Sequence, residues 1–227
     1  MKLSVEASRK AIASWGGDLS DLTHIVSVTC THSANPGFDL HVVKQLGLNT
    51  SIERVLLHGI GCSGGLAALR TAANIAQGAS FRRRPARILV LACEITTMMV
   101  RSELESIVKL QETRIGLTLF SDCASAVVLG NDFGLGVPEE PLLELLGWDH
   151  RIIDDTEHDL GFDVDPLGTY LFSRNLQSTH TDVHRLESHS NSTSTKTSGC
   201  SSPINIHRPG DLNTRAERRR QSWCLRV

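Results

Sequence analysis

Apolar and polar positions fall into alternating blocks along the first 177 residues of this chain. Short apolar runs, read as buried strands, alternate with longer stretches in which apolar residues recur at helical spacing. The pattern predicts a helix over 5–15, a strand over 24–30 and, past the loop at Asn35-Pro36-Gly37, a helix over 39–46. A strand over 54–60 then leads into a long helix over 64–77. The polar turn Phe81-Arg82-Arg83-Arg84-Pro85 introduces a strand over 87–93, followed by a charged helix over 101–110. Another strand, over 125–129, follows Ser121-Asp122, and 142–148 and 167–172 are two further candidates. Strands alternating with helices imply an α/β fold around a mostly buried sheet.

Past Gln177 the pattern stops. Residues 178–227 are rich in Ser, Thr, His and Arg, with few clustered apolar positions. A stretch of that composition buries too little surface to offset its ordering entropy, so it is expected to be a disordered tail. The resulting organisation is a folded unit over 1–150, the start of a second unit over 151–177, and the tail. No internal repeat is visible.

Composition narrows the class. A chain of 227 residues with 40% hydrophobic residues is long enough for one ordinary domain with an appendage. Its formal net charge of -2 gives no reason to expect nucleic acid or an anionic membrane as a partner. Six cysteines do not make a dense disulfide framework, and Cys30, Cys62, Cys93 and Cys123 sit in or beside apolar runs. A reducing, cytoplasmic setting follows. The N-terminal stretch MKLSVEASRKAIASWGG reads as an amphipathic helix rather than a signal peptide. No segment reaches the roughly 20 apolar residues needed to cross a bilayer.

The candidate chemistry lies at HGIGCSGGLAALRTA, residues 58–72, where a buried strand gives way to strong helix formers. Cys62 stands in this turn among glycines, which tolerate unusual backbone angles and let other groups come close. The first turn of a helix presents unpaired N–H groups and a partial positive charge, so a thiolate placed there is stabilised. The same N–H groups can hold a developing oxyanion, which suits covalent acyl transfer through a thioester. The competing reading is a small, inert core cysteine at a glycine-rich turn. The layout is that of a nucleophile elbow, except that Ile60 takes the place of its first glycine.

Several stretches, in order, carry a resemblance to a known family. They are SWGGDLSDLTHIVSVTCTHSANPGFDLHVVKQLGL, VLLHGIGCSGGLAALRTAANIA, ARILVLACEIT, LFSDCASAVVLG and GFDVDPLG. Together they resemble type III polyketide synthases, the chalcone synthase-like enzymes, and most closely their fungal members. The resemblance runs from about residue 5 to about residue 176. It implies the thiolase fold, with two similar αβαβα halves, and a homodimer. It further implies an acyltransferase whose nucleophilic cysteine, Cys62 here, accepts a starter acyl group from coenzyme A. Malonyl-CoA then extends that group by decarboxylative condensation, with no metal, no carrier protein and no cofactor beyond the coenzyme A thioester substrates. By the same resemblance Phe120 guards the junction of entry tunnel and cavity, while Thr96, Met98, Met99 and Cys30 line the cavity. For Phe120, Met98 and Met99 ordinary core packing is the alternative. Asn35 occupies the loop that in plant members reaches across the dimer with a methionine.

The match is incomplete. The family chain is longer, and its basic coenzyme A contacts precede the point where this sequence begins, so the coenzyme A-binding residues are not identified. Its catalytic histidine precedes Pro-Gly-Gly and its catalytic asparagine sits in a Gly-Asn-x-Ser-Ser loop; neither context occurs here. His180, His184, His189 and His207 lie elsewhere, and Asn191-Ser192-Thr193 is not that loop. The chain is therefore expected to be inactive by itself, as a truncated or mispredicted product. Two alternatives stay open: a carrier-protein-dependent ketoacyl synthase with the same turn, and a non-catalytic half-fold that associates with an intact synthase subunit. Arg82-Arg83-Arg84 reads as a solvated loop, or as a contact for coenzyme A phosphates. The tail histidines have no completing ligands for a metal site. The glycosylation patterns at Asn49 and Asn191 have no secretory signal to give them meaning.

Overall fold

The computed structural model describes residues 1–111, 119–134 and 141–150, and beyond them the backbone of four strands at 160–165, 168–173, 204–207 and 223–226. The chain opens with helix α1, Lys2–Trp15. Its buried positions Ser4, Val5, Ser8, Ala11, Ile12 and Trp15 recur every three or four residues and so form one face. Gly16 ends it at φ 75, a left-handed angle that glycine adopts freely, and donates its N–H to Ile12 O.

Strand β1, His24–Val28, is buried along nearly its whole length. Helix α2, Phe38–Leu46, leads to β2, Glu53–Leu57, which pairs parallel to β1. Helix α3, Gly64–Phe81, crosses over to β3, Arg87–Glu94, parallel to β1 on its other side. Helix α4, Val100–Leu110, precedes β4, Cys123–Gly130, which runs antiparallel to β3. Strand β5, Leu143–Trp148, lies farther out. Strands β6, Leu160–Asp165, and β7, Gly168–Ser173, form a separate antiparallel pair. The last two strands are β8, Ile204–His207, and β9, Trp223–Arg226. The main sheet has the order β2-β1-β3-β4-β9-β5-β8.

Strand alternation divides the core between two faces of this sheet. One face carries Ile25, Leu89, Leu91, Cys93 and Val128 against α1 and α2, with Val5, Ile12, Trp15, Phe38 and Val42. The opposite face carries Val26, Val28, Ile88, Val90 and Leu129 against Ala68, Ala72, Ala73 and Ala76 of α3. Small residues on α3 let its backbone lie close over the sheet. The result is a helix–sheet–helix sandwich, the layered α/β arrangement the pattern implied.

Element ends differ from expectation where side chains intervene. The strand predicted over 24–30 stops at Val28, because the N–H of Cys30 turns away to the carboxylate of Glu94. The strand predicted over 54–60 stops at Leu57; Gly59, at φ 74, breaks the extended run. Helix α3 runs on to Phe81, four residues past the predicted end, and the turn after it is fixed by Arg82 and Arg84 N–H groups on Ala79 O. Strand β6 was not foreseen. Two short strands, β8 and β9, come from the stretch expected to form a disordered tail. The rest of that stretch, like most of 151–177, lies outside the described residues.

Candidate active site

Three parallel strands end on one rim of the sheet, and the candidate residues gather there. Past β2 the chain makes a short 3₁₀ turn, Gly61–Ser63, before α3 begins at Gly64. Gly59 and Gly61 both sit at left-handed angles, φ 74 and φ 71, which side-chain-bearing residues adopt only with strain. Gly64 is needed for a different reason. A β-carbon there would stand 2.7 Å from Val28 Cγ2, so its absence lets α3 start against the end of β1. These glycines hold Cys62 exposed, directly ahead of the helix. The α3 N-terminus has no side-chain cap, and the N–H of Gly64 is bonded to Gly61 O.

Cys30 lies past β1 and is half-buried. Its N–H donates to Glu94 Oε1 at 2.9 Å and to Oε2 at 3.1 Å. Glu94 Oε2 also accepts from the Thr31 N–H at 3.1 Å and from Thr31 Oγ1 at 2.7 Å. Thr31 Oγ1 in turn accepts from the Ile95 N–H at 2.8 Å. One carboxylate thus ties the end of β1 to the end of β3. Burial, then the charge of Glu94 and a hydrogen bond to it, push the Cys30 thiol up to about 12; nearby Cys62 adds a smaller push in the same direction. Cys30 is therefore a protonated thiol at neutral pH.

Past β3 comes a second 3₁₀ turn, Thr96–Met99. Asp122 pins it from the residue before β4: Oδ1 accepts the Thr97 N–H at 2.8 Å and Thr96 Oγ1 at 3.4 Å, and Oδ2 accepts Thr97 Oγ1 at 2.5 Å. These bonds, those of Thr97 foremost, hold the Asp122 carboxyl below the usual carboxylate range. Thr96 and Phe120 are half-buried on either side of this clamp. The two methionines part: Met98 is 46% exposed, whereas Met99 is 2% exposed and belongs to the packed interior. Asn35 is exposed in its loop.

Sequence reasoning named Cys62, Cys30 and Thr96, which the fold brings to this rim, but not the carboxylates bonded to Cys30 and Thr96. Glu94 was signalled by its position, a charge closing an otherwise apolar strand run. It also missed a groove beside the Cys62 turn, lined by Ile60, Ser63, Leu66, Arg70, Trp148 and His150. Trp148 and His150 come from the end of β5, far away in sequence. Among the described residues, no group of three or more His, Cys, Asp and Glu is arranged to hold a metal ion. No helix among them is long and apolar enough to cross a membrane.

Comparison with known proteins decides the family. Residues 1–133 match the model for chalcone and stilbene synthases, N-terminal domain. The chain belongs to the chalcone and stilbene synthase family. Acylalkylpyrone synthase csyB of Aspergillus oryzae is 42% identical over 167 residues, covering 73% of this chain and 42% of that protein. Type III polyketide synthase pspB of Penicillium soppii is 45% identical over 175 residues, covering 74% of this chain and 44% of that protein. Among solved structures, a type III pentaketide synthase from Neurospora crassa superposes with a TM-score of 0.77 at 57% identity, over 82% of this chain and 49% of that one. The thiolase-like layered fold and the fungal type III polyketide synthase resemblance are thereby established for this chalcone synthase-like chain. It spans less than half the length of the curated relatives it matches.

Proposed function

We propose that Cys62 is the acyl-accepting nucleophile of a type III polyketide synthase. A starter acyl group passes from its coenzyme A thioester to the sulfur, and malonyl-CoA extends it by decarboxylative condensation in the assembled enzyme. The observation that carries this reading is the placement of Cys62: exposed, at a turn fixed by two left-handed glycines, directly before an uncapped helix start. The positive end of α3 favours the sulfur's negative charge and that of a tetrahedral oxyanion. Phe120, Thr96 and Met98 line the cavity, with Cys30 beside the nucleophile as a protonated, polar wall. Met99, almost fully buried, supports the turn from behind.

The histidine and asparagine contexts that complete the family's triad do not occur in these 227 residues. Each positioned group of that kind is worth about 10²–10⁴-fold in rate. Loading of Cys62 is therefore expected to be slow, and extension is expected to require the other half of the fold. We place the enzyme in the cytoplasm, in keeping with its free cysteines. We take the working form to be a dimer, supported by the outward-facing Leu104 and Val108 of α4.

The test is intact-protein mass spectrometry after incubation with a medium-chain acyl-CoA. A single acyl adduct on Cys62, lost in Cys62→Ala, is the expected result. Absence of an adduct at Cys62, or transfer from an acyl carrier protein alone, would overturn the reading.

A further inference from the structure

We infer that Cys62 and Cys30 form an oxidisable dithiol, so that the candidate nucleophile is a site of reversible disulfide formation under peroxide-class oxidants. The inference starts from the contact between α3 and β1. The backbone of Gly64 lies against Val28, closer than any side chain would permit. Cys62 stands two residues before Gly64, and Cys30 two residues after Val28, so the two chain segments meet with both cysteines at the same rim. The charge of Cys62 reaches the Cys30 thiol, which puts the two sulfurs in one neighbourhood. Cys62 is exposed and reachable by a small oxidant, while Cys30 is half-buried. This is the arrangement of an attacking sulfur and a resolving sulfur.

The chemistry balances in two steps. The Cys62 thiolate attacks one oxygen of hydrogen peroxide; the O–O bond breaks, leaving a sulfenic acid and, after protonation, water. The Cys30 sulfur then attacks the sulfenic sulfur; the S–O bond breaks, the S–S bond forms, and the hydroxyl leaves with the Cys30 proton as a second water. Two thiols are oxidised by two electrons and one peroxide is reduced to two waters. Burial and Glu94 hold the Cys30 proton, so the second step is the slow one and accelerates as pH rises. The linkage itself does not depend on the proposed function. Its consequence does: if Cys62 accepts acyl groups, closure removes the accepting sulfur, and a thiol reductant restores it.

The experiment treats the full chain with a small excess of hydrogen peroxide and maps peptides without reduction. The expected result is a peptide pair joined through Cys30 and Cys62, lighter by two hydrogens and reopened by dithiothreitol. Cys30→Ser is expected to yield no crosslink and to leave Cys62 with added oxygen. Joining of Cys62 to Cys123, linkages scattered over the six cysteines, or a wild-type Cys62 carrying two oxygens beside a free Cys30 would overturn the inference. Acylation of Cys62 is measured separately, so loss of the crosslink and loss of loading are distinguishable results.

Discussion

Gly64 and Val28 touch without a side chain between them: a β-carbon on the glycine would come within 2.7 Å of Val28 Cγ2. Neither neighbour yields easily, because Val28 is buried in the sheet and Gly64 opens a helix that packs along it. Gly64→Ala is therefore expected to push the start of α3 off β1 and cost about 1–3 kcal/mol, the range for overpacking a tight core. Denaturant unfolding measures the loss. The rate of Cys62 alkylation should change as well, since that residue rides on the displaced turn. An unchanged midpoint and rate would show that the turn relaxes freely.

Glu94 is the next point of leverage. From the end of β3 it accepts hydrogen bonds from two backbone N–H groups and two hydroxyls, all just past β1. Glu94→Ala strands those donors, each a loss on the order of 1–3 kcal/mol where buried. It also removes the charge that, after burial, helps keep the Cys30 proton in place. Besides lower stability, Cys30 should then be alkylated at a lower pH than in the wild-type chain, a shift that mass mapping across a pH series reads directly.

The raised Cys30 thiol has a consequence for alkaline stability. Its ordinary value is 9.0, and in the folded chain it is pushed up to about 12. Between those two values the folded state holds a proton that the unfolded state has released. The stabilisation is thus complete below about 9 and is lost as pH rises toward about 12. Unfolding measured over that window should show a steeper alkaline decline in the wild-type chain than in Cys30→Ser. Equal slopes would mean that the thiol is not held protonated.

Asn131 ties the far end of α3 to the sheet. Its side chain accepts the Ala86 N–H at 2.9 Å and donates to Ser80 Oγ at 3.0 Å and Arg84 O at 2.9 Å. At 2% exposure it cannot trade those partners for water. Asn131→Ala is expected to cost about 2–4 kcal/mol, near the upper end for several buried hydrogen bonds lost together. Cys62 reactivity should stay unchanged, because the site lies at the other end of α3. A parallel change in both would mean that the helix responds as one rigid lever.

How much of this could be read from residue order depends on the range of the interaction. Helices and strands through β4 were legible because their apolar periods are local, and Cys62 was legible because glycines and helix formers flank it within a few positions. The Glu94 network joins residues more than sixty apart, and the groove beside Cys62 borrows Trp148 and His150 from a distant strand. No period in the sequence encodes such pairings. Met98 and Met99 show the same limit on a smaller scale: adjacent and chemically identical, they are separated only by the rotation of a 3₁₀ turn. Strand ends were misjudged where a side chain, not the ladder, claimed the backbone N–H.

The reversal of direction between β3 and β4 divides the labour of the domain. Chain leaving β1, β2 and β3 meets chain entering β4 on a single border, so the proposed nucleophile, its neighbour and the clamping carboxylates crowd one side. The other border, among the described residues, carries the connections at 16–23, 47–52, 82–86 and 131–134. A tag at 16–23 or 47–52, clear of the Asn131 network, is expected to leave the candidate site undisturbed, which makes that border the place to attach a fluorophore, a surface tether or a fused partner.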